Sequence, residues 1–190
     1  MANGIPVLLI TGPVGVGKTT VAFAVSDLLK DTAAAHALVD VDSLRWCYPA
    51  PPGDRFNVAL GMRNLAAVWA NFRAAGAERL ILADVLESRE QLARYREAVP
   101  GAAIQVVRLR ATLETLNDRV RRRETGAALA WYLHRTAELA AQMERDRLED
   151  IAVDTDGRPA VEVAREVLAR CGWLATASGS ARRATPDTTG

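Results

Sequence analysis

Eight residues, Gly12-Pro13-Val14-Gly15-Val16-Gly17-Lys18-Thr19, carry the spacing G-x-x-x-x-G-K-[ST]. Glycines at that spacing let backbone N–H groups turn inward around phosphate oxygens, and a helix starting there adds its positive end. Lys18 would then reach the β- and γ-phosphates of a nucleotide, while the Thr19 hydroxyl would hold Mg²⁺. The expected nucleotide contacts are Gly12, Val14, Gly15, Val16, Gly17, Lys18, Thr19 and Thr20. An apolar run before the motif (Val7, Leu8, Leu9, Ile10) and a helix-like run after it (Val21, Ala22, Val25, Leu28, Leu29) supply the strand–loop–helix context it needs.

Further chemistry gathers where other apolar runs end. Val39-Asp40-Val41-Asp42-Ser43 closes a second strand-like run. The two-residue strand period would project Asp40 and Asp42 to one side. One carboxylate then lies near Mg²⁺ or its waters, and the other accepts the proton of an attacking hydroxyl. Asp40 is the expected metal residue and Asp42 the general base. Asp84 ends Leu80-Ile-Leu-Ala, where a carboxylate would hold a Mg²⁺-bound water or orient Thr19; Ser88 is the better cap for the helix beyond. Arg119, Arg122 and Arg123 stand at i, i+3 and i+4 and share a helix face. Arg119 and Arg123 are the candidates for stabilising charge on a transferring phosphate.

Arg45, Trp46 and Tyr48 follow Asp42 in a loop suited to an acceptor pocket wall, and Arg135 would face the acceptor or the γ-phosphate. Trp69, Phe72, Trp131 and Tyr132 read as packing residues, and His134 as structural.

These residues need elements to hold them. Strands are expected at 7–10, 37–41, 80–84, 104–109 and 151–153, with helices from the motif to about 30, then over 55–75, 88–98, from Thr112 as cap, 128–148, and up to about 170. Strands that read as continuous apolar runs, alternating with helices, indicate a parallel sheet covered on both faces. In such sheets ligands sit outside the carboxyl ends of the strands. Residues 1–174 form one domain, and the Ala/Ser/Thr/Gly-rich stretch 175–190 reads as a disordered tail.

Composition narrows the partners. With 190 residues, 49% of them hydrophobic, the chain can bury one substantial core. A net charge of +1 supplies no global field toward nucleic acid or membrane, so a small-molecule partner is expected. Cys47 and Cys171 lack metal-like spacing and read as buried or half-buried thiols of a reducing cytosol. No apolar run approaches membrane-spanning length. The expectation is a soluble cytoplasmic protein, monomeric or homodimeric.

Five segments carry a resemblance: GPVGVGKTT, VDVDSLR, LILADV, RLRATLETLNDRVRRRE and DIAVDTDGRPAVEVAREVL. In this order the chain, over about residues 5–172, resembles the P-loop kinases of the nucleoside- and nucleotide-kinase-like group. That group includes shikimate, gluconate and adenylylsulfate kinases and chloramphenicol phosphotransferase. The resemblance implies an α/β fold of three layers, a five-stranded parallel sheet in order 2-3-1-4-5, and a small helical lid near 123–129. It implies ATP and Mg²⁺ as cofactors, with Asp42 at the acceptor hydroxyl and Asp40 near the metal. Arg119 and Arg123 match lid-associated phosphate contacts, and Thr155 to Arg158 match a region beside adenine.

The loop from Arg45 to Asn57 departs from all the named subfamilies. The expected activity is ATP-dependent phosphotransfer to a hydroxyl of a nucleoside, sugar or antibiotic. An ATP-binding regulatory switch acting on a protein partner is the alternative. The tandem Asp40 and Asp42 disfavour it, since a switch needs no second carboxylate at the acceptor mouth. Polynucleotide phosphorylation would want a basic groove that the net charge does not support.

Overall fold

Val7, Leu8, Leu9 and Ile10 are all buried, so the strand carrying them has no solvent face. This is why it reads as an unbroken apolar run rather than an alternating one. In the computed structural model, which describes residues 4–174, that strand is β1 (Ile5–Thr11), at the centre of the sheet. The other strands are β2 (His36–Asp40), β3 (Arg79–Ala83), β4 (Ala102–Arg110) and β5 (Ile151–Asp154). All pair in parallel, in the order β2-β3-β1-β4-β5. The expected topology is therefore the observed one. The tail expected at 175–190 lies outside the described residues.

The helices are α1 (Lys18–Lys30), α2 (Val58–Ala74), α3 (Arg89–Ala98), α4 (Leu113–Arg123), α5 (Ala127–Asp146) and α6 (Ala160–Arg170). Alternate residues of β1 feed opposite layers. Leu8 and Ile10 join Val21, Val25, Val163 and Val167 from α1 and α6. Val7 and Leu9 join Leu65, Trp69 and Tyr95 from α2 and α3. Because every strand points the same way, all the loops after the strands open on one edge of the sheet.

Several local expectations are corrected. β2 stops at Asp40, and Val41–Arg45 forms a 3-10 helix. The Asp40 carboxylate accepts from the Asp42 N–H at 3.1 Å and caps that turn, so no strand pleat relates Asp40 to Asp42. α2 begins at Val58 rather than near Arg55, because Asn57 takes a left-handed φ of 54° and Asp54 accepts from the N–H groups of Val58 and Leu60. Thr112 caps α4 as expected, accepting from the Thr115 N–H. The break between α4 and α5 spans only Glu124 to Gly126. Trp69 is core, but Phe72 and Trp131 are exposed, and so is Cys47, expected to be buried or half-buried; Cys171 is half-buried as expected. Among the described residues no helix is long and apolar enough to cross a membrane.

Candidate active site

The loop between β1 and α1 can be built only with glycine at key points. Gly12 has φ +148°, and a Cβ there would lie 2.6 Å from the Leu109 carbonyl oxygen on β4. Gly15 packs on α4: its Cβ would meet the Leu116 oxygen at 3.0 Å and Val120 Cγ2 at 3.1 Å. The loop is thus wedged between the end of β4 and α4, the helix that carries Arg119 and Arg123.

Lys18 Nζ donates to the carbonyl oxygens of Gly12 (3.1 Å) and Pro13 (3.3 Å), folding the ammonium back over the loop. Burial pushes its pKa down, and the carboxylates of Asp42, Asp84 and Asp40 oppose this, Asp42 most strongly; Arg123 adds to the depression. With three carboxylates near it and only carbonyl oxygens as hydrogen-bond partners, Lys18 Nζ is placed to exchange those carbonyls for phosphate oxygens.

Thr19 Oγ1 donates to Asp40 Oδ2 at 2.7 Å. A hydroxyl and a carboxylate side by side are hard oxygen donors. Mg²⁺ keeps most of its waters and takes one or two protein ligands plus phosphate oxygens, so this pair suits it. Among the described residues there is no group of three or more His, Cys, Asp or Glu that would form an all-protein cage. The donor set therefore fits a metal carried with a nucleotide.

Asp84 differs from its expectation. Its side chain is fully buried, and Thr19 is oriented by Asp40 instead. Asp84 Oδ2 accepts from Arg45 Nη2 at 2.5 Å and from the Tyr95 hydroxyl, and Oδ1 accepts from the Val85 N–H. Burial raises its pKa to about 6; Arg45 and the Tyr95 hydrogen bond pull it down, and Asp42 adds to the rise. The same burial, with Asp84 alongside, raises the Tyr95 phenol. Arg45, expected in the acceptor pocket wall, is a strut between Asp84 and Asp42, whose carboxylate it meets at 3.5 Å. Gly61 lets it pass, since a Cβ there would lie 2.8 Å from Arg45 Cγ.

The other expected residues divide between the site and its walls. Arg119 donates to the Val16 carbonyl (3.1 Å) and to Thr155 Oγ1 and O (both 3.3 Å), tying the phosphate loop to the end of β5. Thr155 is buried, and its hydroxyl also donates to the Arg110 carbonyl. Arg158 turns onto α6, donating to the Asp154 carbonyl and Glu166. Arg123 pairs with Glu124 at 2.7 Å and lies over the Tyr132 ring. Arg135 pairs with Glu87 at 2.5 Å. Arg122 is exposed.

Asp42, Arg45, Trp46 and Tyr48 face the phosphate loop across one open cleft of about 1810 Å³. A pocket for one small ligand spans roughly 300–1,000 Å³, so this cleft has room for two. Sequence reasoning missed Glu87, Glu138, Phe56 and Tyr95. Glu87, just beyond the end of β3, had a positional signal; Tyr95 on α3 had none.

The family described as AAA domain matches residues 8–151, well over half of the chain. The chain belongs to that family. Solved structures share the fold of this AAA domain over most of its length. A gluconokinase from Sinorhizobium meliloti is 22% identical, with a TM-score of 0.60 over 90% of this chain and 94% of its own. A tunicamycin resistance protein from Deinococcus radiodurans is 20% identical, with a TM-score of 0.63 over 88% and 95%. An APS kinase from Mycobacterium tuberculosis, solved with AMPPNP and APS, is 22% identical, with a TM-score of 0.59 over 87% and 96%. The domain thus has the fold of the P-loop small-molecule kinases. No curated protein matches its sequence.

Proposed function

We propose that this AAA domain is an ATP-dependent phosphotransferase that moves the γ-phosphoryl group to a hydroxyl of a small acceptor. The observation that carries the proposal is Asp42. It is the foremost carboxylate acting on the Lys18 ammonium, its side chain is 62% exposed, and it opens into a cleft large enough for two ligands. A domain that only sensed nucleotide would need no exposed carboxylate there.

In this mechanism the N–H groups of residues 14–20 cradle the phosphates, and Lys18 swings from the Gly12 and Pro13 carbonyls to the γ-phosphate oxygens. Thr19 and Asp40 would hold Mg²⁺, which supplies charge neutralisation at the β- and γ-phosphates. Asp42 accepts the proton of the acceptor hydroxyl as its oxygen bonds to phosphorus, and the bond to the β,γ-bridging oxygen breaks to leave ADP.

Arg119 and Arg123 offset charge building on the transferring group. Thr155 and Arg158 border the base, and Arg45, Tyr48 and Arg135 shape the acceptor side. The α4–α5 corner at 123–129 serves as the lid, within a single domain over 1–174. The kinase-like fold supports this reading, and the likeness to a tunicamycin resistance protein keeps antibiotics among the acceptors to be tried. A cytoplasmic setting, where ATP is abundant and thiols stay reduced, suits it.

The test separates binding from transfer. Asp42→Asn keeps the side-chain shape but removes the proton acceptor. ATP affinity should stay within a few-fold, while labelled phosphate transfer to the best acceptor should fall by about 10²-fold or more. Full transfer by Asp42→Asn would remove Asp42 from the chemistry.

A further inference from the structure

Four large aromatic side chains stand in solvent around the cleft, and the cleft's guanidinium groups that are not bonded to the phosphate loop or α6 are already matched by carboxylates. From these two observations we infer that the acceptor half recognises an uncharged or amine-bearing molecule with a flat apolar face, and discriminates against anionic acceptors. The inference rests on the phosphotransferase reading for treating this half of the cleft as the acceptor's.

The aromatics are Trp46 (90% exposed), Tyr48 (98%), Phe56 (68%) and Trp131 (58%), all lining the same cleft. Each ring can bury roughly 150–250 Å² against a partner. Apolar groups gathered around one concavity mark a binding groove, whereas scattered ones need no explanation. Nor does a loose loop explain the exposure, because the segment is anchored from behind. Asn57 Nδ2 donates to the carbonyls of Arg45 (2.7 Å) and Cys47 (3.0 Å), and Asn64 Nδ2 to that of Leu44 (2.8 Å). The backbone is held while the rings of Trp46 and Tyr48 project freely.

Charge gives the second half of the argument. Apart from Arg119 and Arg158, which are bound to the phosphate loop and to α6, the arginines that line the cleft are Arg45, Arg123 and Arg135. Arg45 is taken by Asp84 and Asp42, Arg123 by Glu124, and Arg135 by Glu87 at 2.5 Å with Glu138 at 3.8 Å. A carboxylate or phosphate on the acceptor would have to share these guanidinium groups with Asp42, Glu87, Glu124 and Glu138, all of which line the cleft, and would meet their negative charge. An ammonium group would instead be drawn to the same carboxylates, of which Glu138 is half-exposed and only loosely held by Arg135 (3.8 Å) and His134 (3.5 Å), and to the faces of the aromatic rings.

The experiment uses the whole chain loaded with Mg·ADP, so that the nucleotide half is filled. Ligand-observed NMR titration compares uridine, cytidine and 2-amino-1-phenylethanol with uridine monophosphate, gluconate and shikimate. The first three should bind at least ten-fold more tightly than the last three. Trp46→Ala should weaken the first three at least five-fold with ADP affinity unchanged, and Glu138→Lys should narrow the preference. Anions binding equally or more tightly, no member of the panel binding, or an indifferent Trp46→Ala would each overturn the inference. Labelled phosphate transfer from ATP is followed separately. Selective binding without transfer sinks the phosphotransferase reading and leaves the recognition standing. Preferred transfer to gluconate or shikimate does the reverse.

Discussion

Arg45→Met tests whether the strut behind the acceptor loop is an ion pair that matters. The variant keeps much of the apolar stem and removes the charge that meets Asp84 at 2.5 Å. The Asp84 carboxyl titrates near 6 in the fold, above its ordinary 3.8, because burial outweighs the pull of Arg45 and Tyr95. A carboxyl raised in this way favours the folded state while protonated, and that contribution is lost as pH climbs through the folded value.

Without Arg45 the carboxyl rises further, with Asp42 still pushing upward and only Tyr95, the Val85 N–H and Lys18 left to hold the anion. At pH 5 the carboxyl is largely protonated in both proteins, and the variant loses little more than a hydrogen bond, about 1 kcal/mol. At pH 8 it strands a buried charge, at a cost of about 3–5 kcal/mol. Thermal unfolding would read this as a fall of about 6–20 °C, using about 2–4 °C per kcal/mol for a chain of this size.

Urea unfolding at pH 5, 6.5 and 8 measures the difference directly. Asp84→Asn combined with Arg45→Met should recover much of the pH 8 loss, since no charge is left behind. Equal destabilisation at pH 5 and pH 8, or a double variant that is the plain sum of the singles, would refute the ion-pair account.

Lys18→Ala should weaken Mg·ATP binding at least ten-fold and lower phosphate transfer by about 10²–10³-fold, because the other lysine, Lys30, stands at the far end of α1; calorimetry beside a transfer assay decides it, and wild-type values would remove the phosphate-loop mechanism. Gly12→Ala sets a Cβ at 2.6 Å from the Leu109 oxygen at φ +148°, so the urea midpoint should drop by the equivalent of about 2 kcal/mol or more and nucleotide binding should weaken. Unchanged stability would mean the β4 edge yields more easily than its packing implies. Amide hydrogens of 124–129 should exchange more slowly when nucleotide and acceptor are both bound, and exchange indifferent to ligands would end the lid proposal.

The chain's own order of residues was enough for the phosphate loop, the central strand and the alternation that builds a parallel sheet. Those features are local. Glycine tolerance of positive φ, the run Val7 to Ile10 and the Thr112 cap each depend on neighbours within a few positions. The site's wiring was not legible in this way. Asp84 ends an apolar strand as a metal carboxylate would, yet its partners are Arg45, 39 residues away, and Tyr95, 11 residues away. Only the packing of α3 beside α2 and β4, and of the 3-10 helix against β3, brings them together, and burial there turns a candidate ligand into an anchor. Asp40 and Asp42 look equivalent under a strand period, but the turn after β2 commits Asp40 to Thr19 and leaves Asp42 in the cleft. Pairing, burial and exposure are properties of distances across the fold, which spacing along the chain does not encode, and so tertiary structure alone assigned each carboxylate its neighbours.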